Sequence, residues 1–347
     1  MFTRRKFQIT MAFTLLLAML ISVTAASAQD TDLGGNVTVR DATGSAAGSN
    51  NSIVIALSGL PSAGAGMTYE GWLISAGGDK VSVGTYAGPS ISVTWVSLTN
   101  ENLAAKYGQF ALSKEPTPDP DPATPGTFAY TGTTAVGVLT PFLGLLSSSS
   151  VSASGDGVAV ALRGQTQVMV DHSNLSDGSA TLGDKQTHAQ HVINAVDGLG
   201  GPGDDVGVVA YAAEAKTLAM QAKAGDPTNA AVIAAADALI VAADRAIDRA
   251  NIAKTNANSV IAASSDNLIV QVALANIVSL SAQANDAAKD TYLAAQDLGA
   301  FVLEPGAGTA PPSAGDELVP MLALIVLAAG VVFAGGGVAM LRRRSIA

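Results

Sequence analysis

The stretch THAQHVINAVDG, from Thr187 to Gly198, holds His188 and His191, two of the chain's three histidines. Three residues apart, they share one face if the segment is helical. The third, His172, falls near the end of the preceding apolar-periodic segment, where a helical hairpin would bring it close. Three imidazoles, completed by Asp184 or Asp171, have the donor chemistry of a zinc or copper site. His172, His188 and His191 are therefore the candidate metal ligands, and zinc or copper the candidate ion. A plainer reading stands beside it. Ala189, Val192, Ile193 and Ala195 flank the pair in an ordinary amphipathic pattern, so the histidines would be one polar face of a packing helix.

Other chemistry finds few residues to carry it. The chain has no cysteine, which removes disulfides, thiolate metal sites and cysteine nucleophiles. No serine sits in G-x-S-x-G, and no S-x-x-K has its supporting motifs. The loop GLGGPGDD lacks the alternating acids and distal Glu of a calcium-binding EF-hand, leaving only a loose calcium contact at Asp204 or Asp205. No strand precedes it, so it is no dinucleotide fingerprint either. The protein is expected not to be an enzyme, and to need no cofactor apart from the candidate metal.

The elements that would position these residues follow from patterning. From about Val158 to Val302 the sequence is rich in alanine, with Leu, Ile and Val at three- and four-residue intervals. Segments near 158–174, 178–197, 206–224, 228–262 and 266–303 predict an antiparallel bundle of four or five helices, or an extended stalk. Val232, Ala236, Leu239, Ala243, Ala246 and Ala250 form one apolar stripe, and Asp226-Pro227 is expected to start the helix that carries it. Gly198 is expected to stop the histidine-bearing helix.

Before that block, residues 29–132 alternate short β-rich runs with glycine turns, as in SIVIALSGL, KVSVGTYA and ISVTWVSL. This predicts a small antiparallel β-sandwich. Ile53, Ile55 and Leu57 would share one face of a strand, with Tyr69, Trp72 and Trp95 anchoring the core between two sheets. KEPTPDPDPATPG (Lys114 to Gly126) reads as an extended Pro/Asp linker, 133–157 as a Gly/Ser-rich linker, and 304–317 as a Pro/Gly linker. The apolar part of the Gly/Ser-rich stretch, Val136 to Leu146, would add a hairpin to the β domain or cover it. The fold class expected is thus multidomain β plus α, ending in a transmembrane helix.

Both ends read as addresses. Arg4, Arg5 and Lys6, an apolar run from Met11 to Val23, and Ala26-Ser27-Ala28 make residues 1–28 a signal peptide. The general secretory route fits; TRRKF also resembles a twin-arginine signal, although Gln8 and Ile9 depart from it. Leu318 to Leu341 carry no charge and are long enough to cross ~30 Å of hydrocarbon. Arg342, Arg343 and Arg344 follow, which puts the tail 342–347 in the cytoplasm and the bulk of the chain outside the cytoplasmic membrane. The layout around Pro311-Pro312-Ser313-Ala314-Gly315 resembles a sortase sorting signal with a degenerate motif, or a plain anchor.

Charge narrows the partners. The chain is 48% hydrophobic but only 5% aromatic and 13% charged, with a formal net charge of −10. Six of its 18 basic residues lie in the two terminal arginine clusters, so 28 acids face 12 bases in between. Such a surface repels polyanions, and no nucleic acid is expected as partner. The membrane, through the C-terminal helix, and an envelope protein are the expected partners.

One family resemblance emerges. LSGLPSAGAGMTYEGWLISAGGDKVSVGTYAG, followed by FALSKEPTPDPDPATPG, resembles the extracytoplasmic domain of anti-sigma-K factors. The matching positions are Leu60-Pro61, Tyr69, Trp72-Leu73-Ile74, Val81 to Thr85, and Glu115-Pro116. The resemblance implies a β module on the outer side of the membrane. Family members also hold a sigma factor through a cytoplasmic domain, joined by one membrane helix. With a signal at one end and a six-residue tail at the other, no such capture segment is expected here. The resulting expectation is a membrane-anchored, non-enzymatic binding or structural protein of a bacterial envelope. A component of anti-sigma signalling without its own capture domain, and a metal-binding helical surface protein, are the alternatives.

Overall fold

A computed structural model describes residues 33–306, Pro202 excepted. The stretches read as signal peptide, terminal span and arginine tail lie outside the described residues, as does most of the 304–317 stretch. The first part is built from antiparallel strands: β1 (Gly34–Arg40), β2 (Ser52–Ser58), β3 (Met67–Ser75), β4 (Lys80–Tyr86), β5 (Ile91–Val96), β6 (Tyr107–Pro116) and β7 (Thr127–Thr133). A short helix, α1 (Leu103–Lys106), precedes β6. One sheet has the order β1-β2-β5. The other runs β4-β3-β6-β7-β8, where β8 (Glu304–Pro305) comes from the far end of the chain.

Period-two alternation does the sorting. On β2, Ile53, Ile55 and Leu57 are buried, while Val54 and Ala56 between them are more open. They join Val37 and Val39 from β1 and Tyr69, Leu73, Phe110 and Leu112 from the second sheet in one apolar cluster. Trp72 departs from the expected central role. Tyr69 and Trp72 are an odd number of positions apart, so they point to opposite faces of β3. Trp72 therefore packs with Ile74, Ala111 and Phe128 in a separate small cluster, its indole Nε1 donating to Ser113 Oγ at 2.8 Å. Trp95 is half-buried at the edge of the main cluster.

Two stretches that look like linkers, and the described start of a third, belong to the folded body. Lys114 pairs with Thr127, so the Pro/Asp segment is the loop of a β6–β7 hairpin. The Gly/Ser-rich stretch contains α2 (Val136–Leu146), which buries Val138, Phe142, Leu145 and Leu146 at helical spacing. Its second residue, Gly137, lies against Gly225: a Cβ there would come within 2.6 Å of the Gly225 Cα. Only two glycines permit that backbone approach. The third stretch begins with β8, whose Glu304 and Pro305 pair with Thr131 and Tyr130 of β7.

The remaining helices are α3 (Val158–Gly178), α4 (Leu182–Asp197), α5 (Gly207–Gly225), α6 (Ala230–Ile261) and α7 (Leu268–Leu298). They pack side by side as a bundle, α7 against both α3 and α6. The stripe Val232, Ala236, Leu239, Ala243, Ala246 and Ala250 is buried, while Asp237, Asp244, Arg245 and Asp248 face out. Asn229, rather than Asp226-Pro227, starts α6: its side chain accepts from the backbone N–H groups of Ala231 and Val232. Helix α7 is long and apolar enough to cross a membrane, yet buries Val270, Leu274, Ile277, Ala284, Ala288 and Ala295 in the bundle.

After α7 the chain returns to the sheets. Phe301 N–H donates to the Val37 carbonyl at 2.8 Å, and β8 then pairs with β7. The helical block is thus inserted between two neighbouring strands. The junction is polar as well as apolar. Arg40 forms an ion pair with Asp297 and donates to the Leu293 carbonyl, while Tyr292 Oη donates to Asp41 and accepts from Gly48 N–H, both at 2.8 Å. Burial, reinforced by Asp41, pushes the Tyr292 phenol well above its usual range. Val37 and Phe301 form an antiparallel bridge. Followed outward, the chain from 37 to 33 and the chain from 301 to 306 therefore run in the same direction.

Candidate functional site

Helices α3 and α4 form a hairpin whose turn is fixed by local chemistry. Thr181 caps α4, its hydroxyl accepting from Asp184 N–H at 3.1 Å and donating to the Asp184 carboxylate at 2.7 Å. Ser176 Oγ donates across the hairpin to the Lys185 carbonyl at 2.7 Å, which locks the register between the helices. Lys185 is itself buried and reaches Asp266 at 2.6 Å. Gln186 Nε2 lies within hydrogen-bond distance of the Val260, Ile261 and Ala263 carbonyls at the end of α6. Gly198, left-handed at φ 72°, ends α4; a Cβ there would lie 2.4 Å from the Val206 carbonyl carbon.

With that register set, the three histidines meet. His172 Nδ1 lies 3.1 Å from His188 Nδ1 and 3.3 Å from His191 Nδ1. A nitrogen from each ring falls within 4.8 Å of the other two. The His172 and His188 rings are stacked, with centroids 5.3 Å apart, and His191 stands edge-on to both. All three are half-buried, and the neighbouring helical positions Met169, Ser173, Ala189 and Val192 are buried. Burial, with the neighbouring imidazoles adding to it, lowers the pKa of His172 and of His191. Both are thereby held toward the neutral form, the one that can ligate a metal.

The two aspartates named with them are engaged elsewhere. Asp171 is exposed and accepts from Gln167 Nε2 at 2.9 Å, whereas Asp184 serves the cap of its own helix. Neither belongs to the histidine group. Asp204, read as a loose calcium contact, has both oxygens in use: one accepts from Val206 N–H and the other from the Tyr211 hydroxyl. It fastens the loop to the start of α5.

A second cluster was not apparent in the sequence. Glu70, Glu115 and Asp119 bring carboxylate oxygens within 4.8 Å of one another. Glu70 and Glu115 are almost fully buried, and burial, then the Glu115 and Asp119 charges, raise the Glu70 pKa. Glu70 accepts from Ser82 Oγ; Glu115 accepts from Ser113 Oγ and from Gly126 N–H at 2.7 Å. These bonds tie the Pro/Asp loop back to the outer face of the sheet. The signal was the β3–β6 register, which sets Glu70 opposite Ser113 and Glu115 opposite Thr68.

Comparison with known proteins bears on the sheet region. Residues 12–127 match the family model described as anti-sigma-K factor rskA, C-terminal. That third of the chain is thus similar to an anti-sigma-K-type domain, in line with its motifs. The match begins inside the apolar run Met11 to Val23 and ends on the first residue of β7, so it spans β1 to β6. The helical block lies outside it. No curated protein and no solved structure matches the chain.

Proposed function

We propose, from the premise that residues 12–127 form an anti-sigma-K-type domain, that the protein is a non-enzymatic binding or structural element of a bacterial envelope. Its body stands outside the cytoplasmic membrane, anchored through 318–341, with the tail 342–347 inside. In this reading the paired sheets form a sandwich, and the helical insertion braces it. The observation that carries the reading is the match of residues 12–127 to the anti-sigma-K factor rskA, C-terminal, family model. The antiparallel Val37–Phe301 bridge sets the two ends of the described body side by side. The scarcity of basic residues between the terminal clusters favours a protein or small-ligand partner over nucleic acid.

The absence of cysteine supplies a clean test. Single cysteines introduced at Ser62, in the sheet region, and at Ser345, in the tail, are treated with a membrane-impermeant maleimide on intact cells. Labelling at 62 with protection at 345 is expected. Labelling at neither position in intact cells, but at both after lysis, would place the body inside and end the proposal.

A second reading is favoured by the start of the family match at residue 12. There the run Met11 to Val23 is a retained membrane segment, and the protein is a component of anti-sigma signalling. N-terminal sequencing of the membrane-extracted protein separates the two: a start at Gln29 supports a cleaved signal, and an intact N-terminus supports the second reading.

A further inference from the structure

We propose that His172, His188 and His191 form a divalent transition-metal site, with three imidazole nitrogens as ligands and a fourth position open to water. This goes beyond the envelope reading and is independent of it. The first support is distance. Ligand nitrogens ~2.0–2.1 Å from a tetrahedral zinc ion lie ~3.3 Å from one another. The nitrogen separations of 3.1 and 3.3 Å from His172 lie close to that edge length.

The second support is valence. The Nδ1 of a neutral imidazole carries either one proton or one lone pair. His172 Nδ1 faces two other Nδ1 atoms, so as a hydrogen-bonding group it must split a single proton or a single lone pair between them. A metal ion at their centre takes one lone pair from each ring and leaves every Nε2–H free for water or a surface partner. Hydrogen bonding alone satisfies this geometry poorly; coordination satisfies it fully.

The third support is construction. The three rings come from two helices whose register is held independently, by the Ser176–Lys185 bond and the Thr181 cap. The ligand positions are therefore set before any ion arrives. The donor set also selects the ion. Imidazoles without carboxylate favour zinc and copper over calcium and magnesium, which demand oxygen ligands. With Asp171 and Asp184 engaged elsewhere, a fourth protein ligand is lacking among the described residues of the group, which makes the site open and exchangeable rather than a closed structural one.

The test uses the untagged full-length chain in detergent, since a polyhistidine tag would bind the same ions. Equilibrium dialysis against zinc, with a large excess of magnesium and calcium, is read by elemental analysis. One zinc per chain is expected, with His172→Asn and the pair His188→Asn/His191→Asn each weakening uptake about 100-fold or more, at or beyond the ~10–100-fold effect of second-shell changes. Copper-loaded protein gives a spectroscopic check that needs no variant to fold: electron paramagnetic resonance should show hyperfine splitting from coordinated imidazole nitrogen. Uptake of neither zinc nor copper, uptake unchanged when all three histidines are replaced, or a copper spectrum with oxygen ligands alone would each overturn the site. In those cases the histidines are a packing face only.

Discussion

The sheet region and the helical block solve the same packing problem with different materials. In the sheet region the core is made of large groups: Tyr69, Phe110, Ile53, Ile55, Leu73 and Leu112 are all essentially inaccessible. In the helices it is made largely of alanine, as at Ala212, Ala215, Ala219, Ala236, Ala243, Ala250, Ala284 and Ala288. Each alanine buries little apolar area, at ~25 cal/mol per Å², so the block gains by length and close approach instead. Its two longest helices run 32 and 31 residues. The sheets should therefore be most sensitive to losing atoms, and the helices to gaining them.

The largest effect that would test this contrast is in the sheets. Phe110→Ala should cost ~3–5 kcal/mol, the usual range for emptying a buried aromatic position. Urea titration reads it directly, and a loss below ~1 kcal/mol would mean that the sheet core is loosely filled. Ala250→Leu, fully buried on α6, should cost ~1–3 kcal/mol by overpacking, although it adds apolar surface. A stabilising outcome there would show room between the helices and undo the comparison.

Smaller effects probe the polar contacts. The Lys185 ammonium beside Asp266 holds the Asp266 carboxyl below its ordinary value. A depressed carboxylate pKa contributes stability that is present above the unfolded value and lost as pH falls through the folded one. Wild type and Asp266→Asn should therefore differ at neutral pH and converge in acid, below the usual aspartate range. Parallel stability curves at all pH values would remove Asp266 from the account. The smallest change is expected for Lys223→Ala, whose partner Asp237 is also exposed; such a pair contributes ~0–1 kcal/mol.

The comparison also makes a prediction about cooperativity. Both tryptophans, Trp72 and Trp95, lie in the sheet region, while the long helices dominate far-ultraviolet circular dichroism. One apolar cluster runs through both regions, and the insertion is tied to the sheets at each end. Fluorescence and dichroism should thus report one coincident unfolding transition, and two separated midpoints would show independent domains.

Local periodicity carried much of the fold. The alanine stripe of α6, the inward face of β2 and the glycine stop of α4 follow from spacing and backbone preference that neighbours in sequence already express. Helix α2 did not, because Gly137, Pro141 and Gly144 imitate a loop until Gly137 meets Gly225. Trp72 lies outside the main cluster because both faces of the second sheet are covered, and alternation alone does not say which side holds the larger cluster.

The candidate site divides along the same line. Residue types and the i, i+3 spacing determined that His188 and His191 share a face, and hydropathy placed His172 on the preceding helix. Whether His172 reaches them, and whether Asp171 or Asp184 joins, depends on the hairpin's register, which Ser176 and Thr181 set across the turn. The β7–β8 pairing that encloses the helical block joins Tyr130 to Pro305. Patterning within a short window encodes which surface of an element is apolar; the partner of that surface is chosen by the free energy of the assembled chain. Residue spacing thus specifies the elements and their buried faces, whereas the insertion of the helices into the sheet and the convergence of three imidazoles come from long-range pairing.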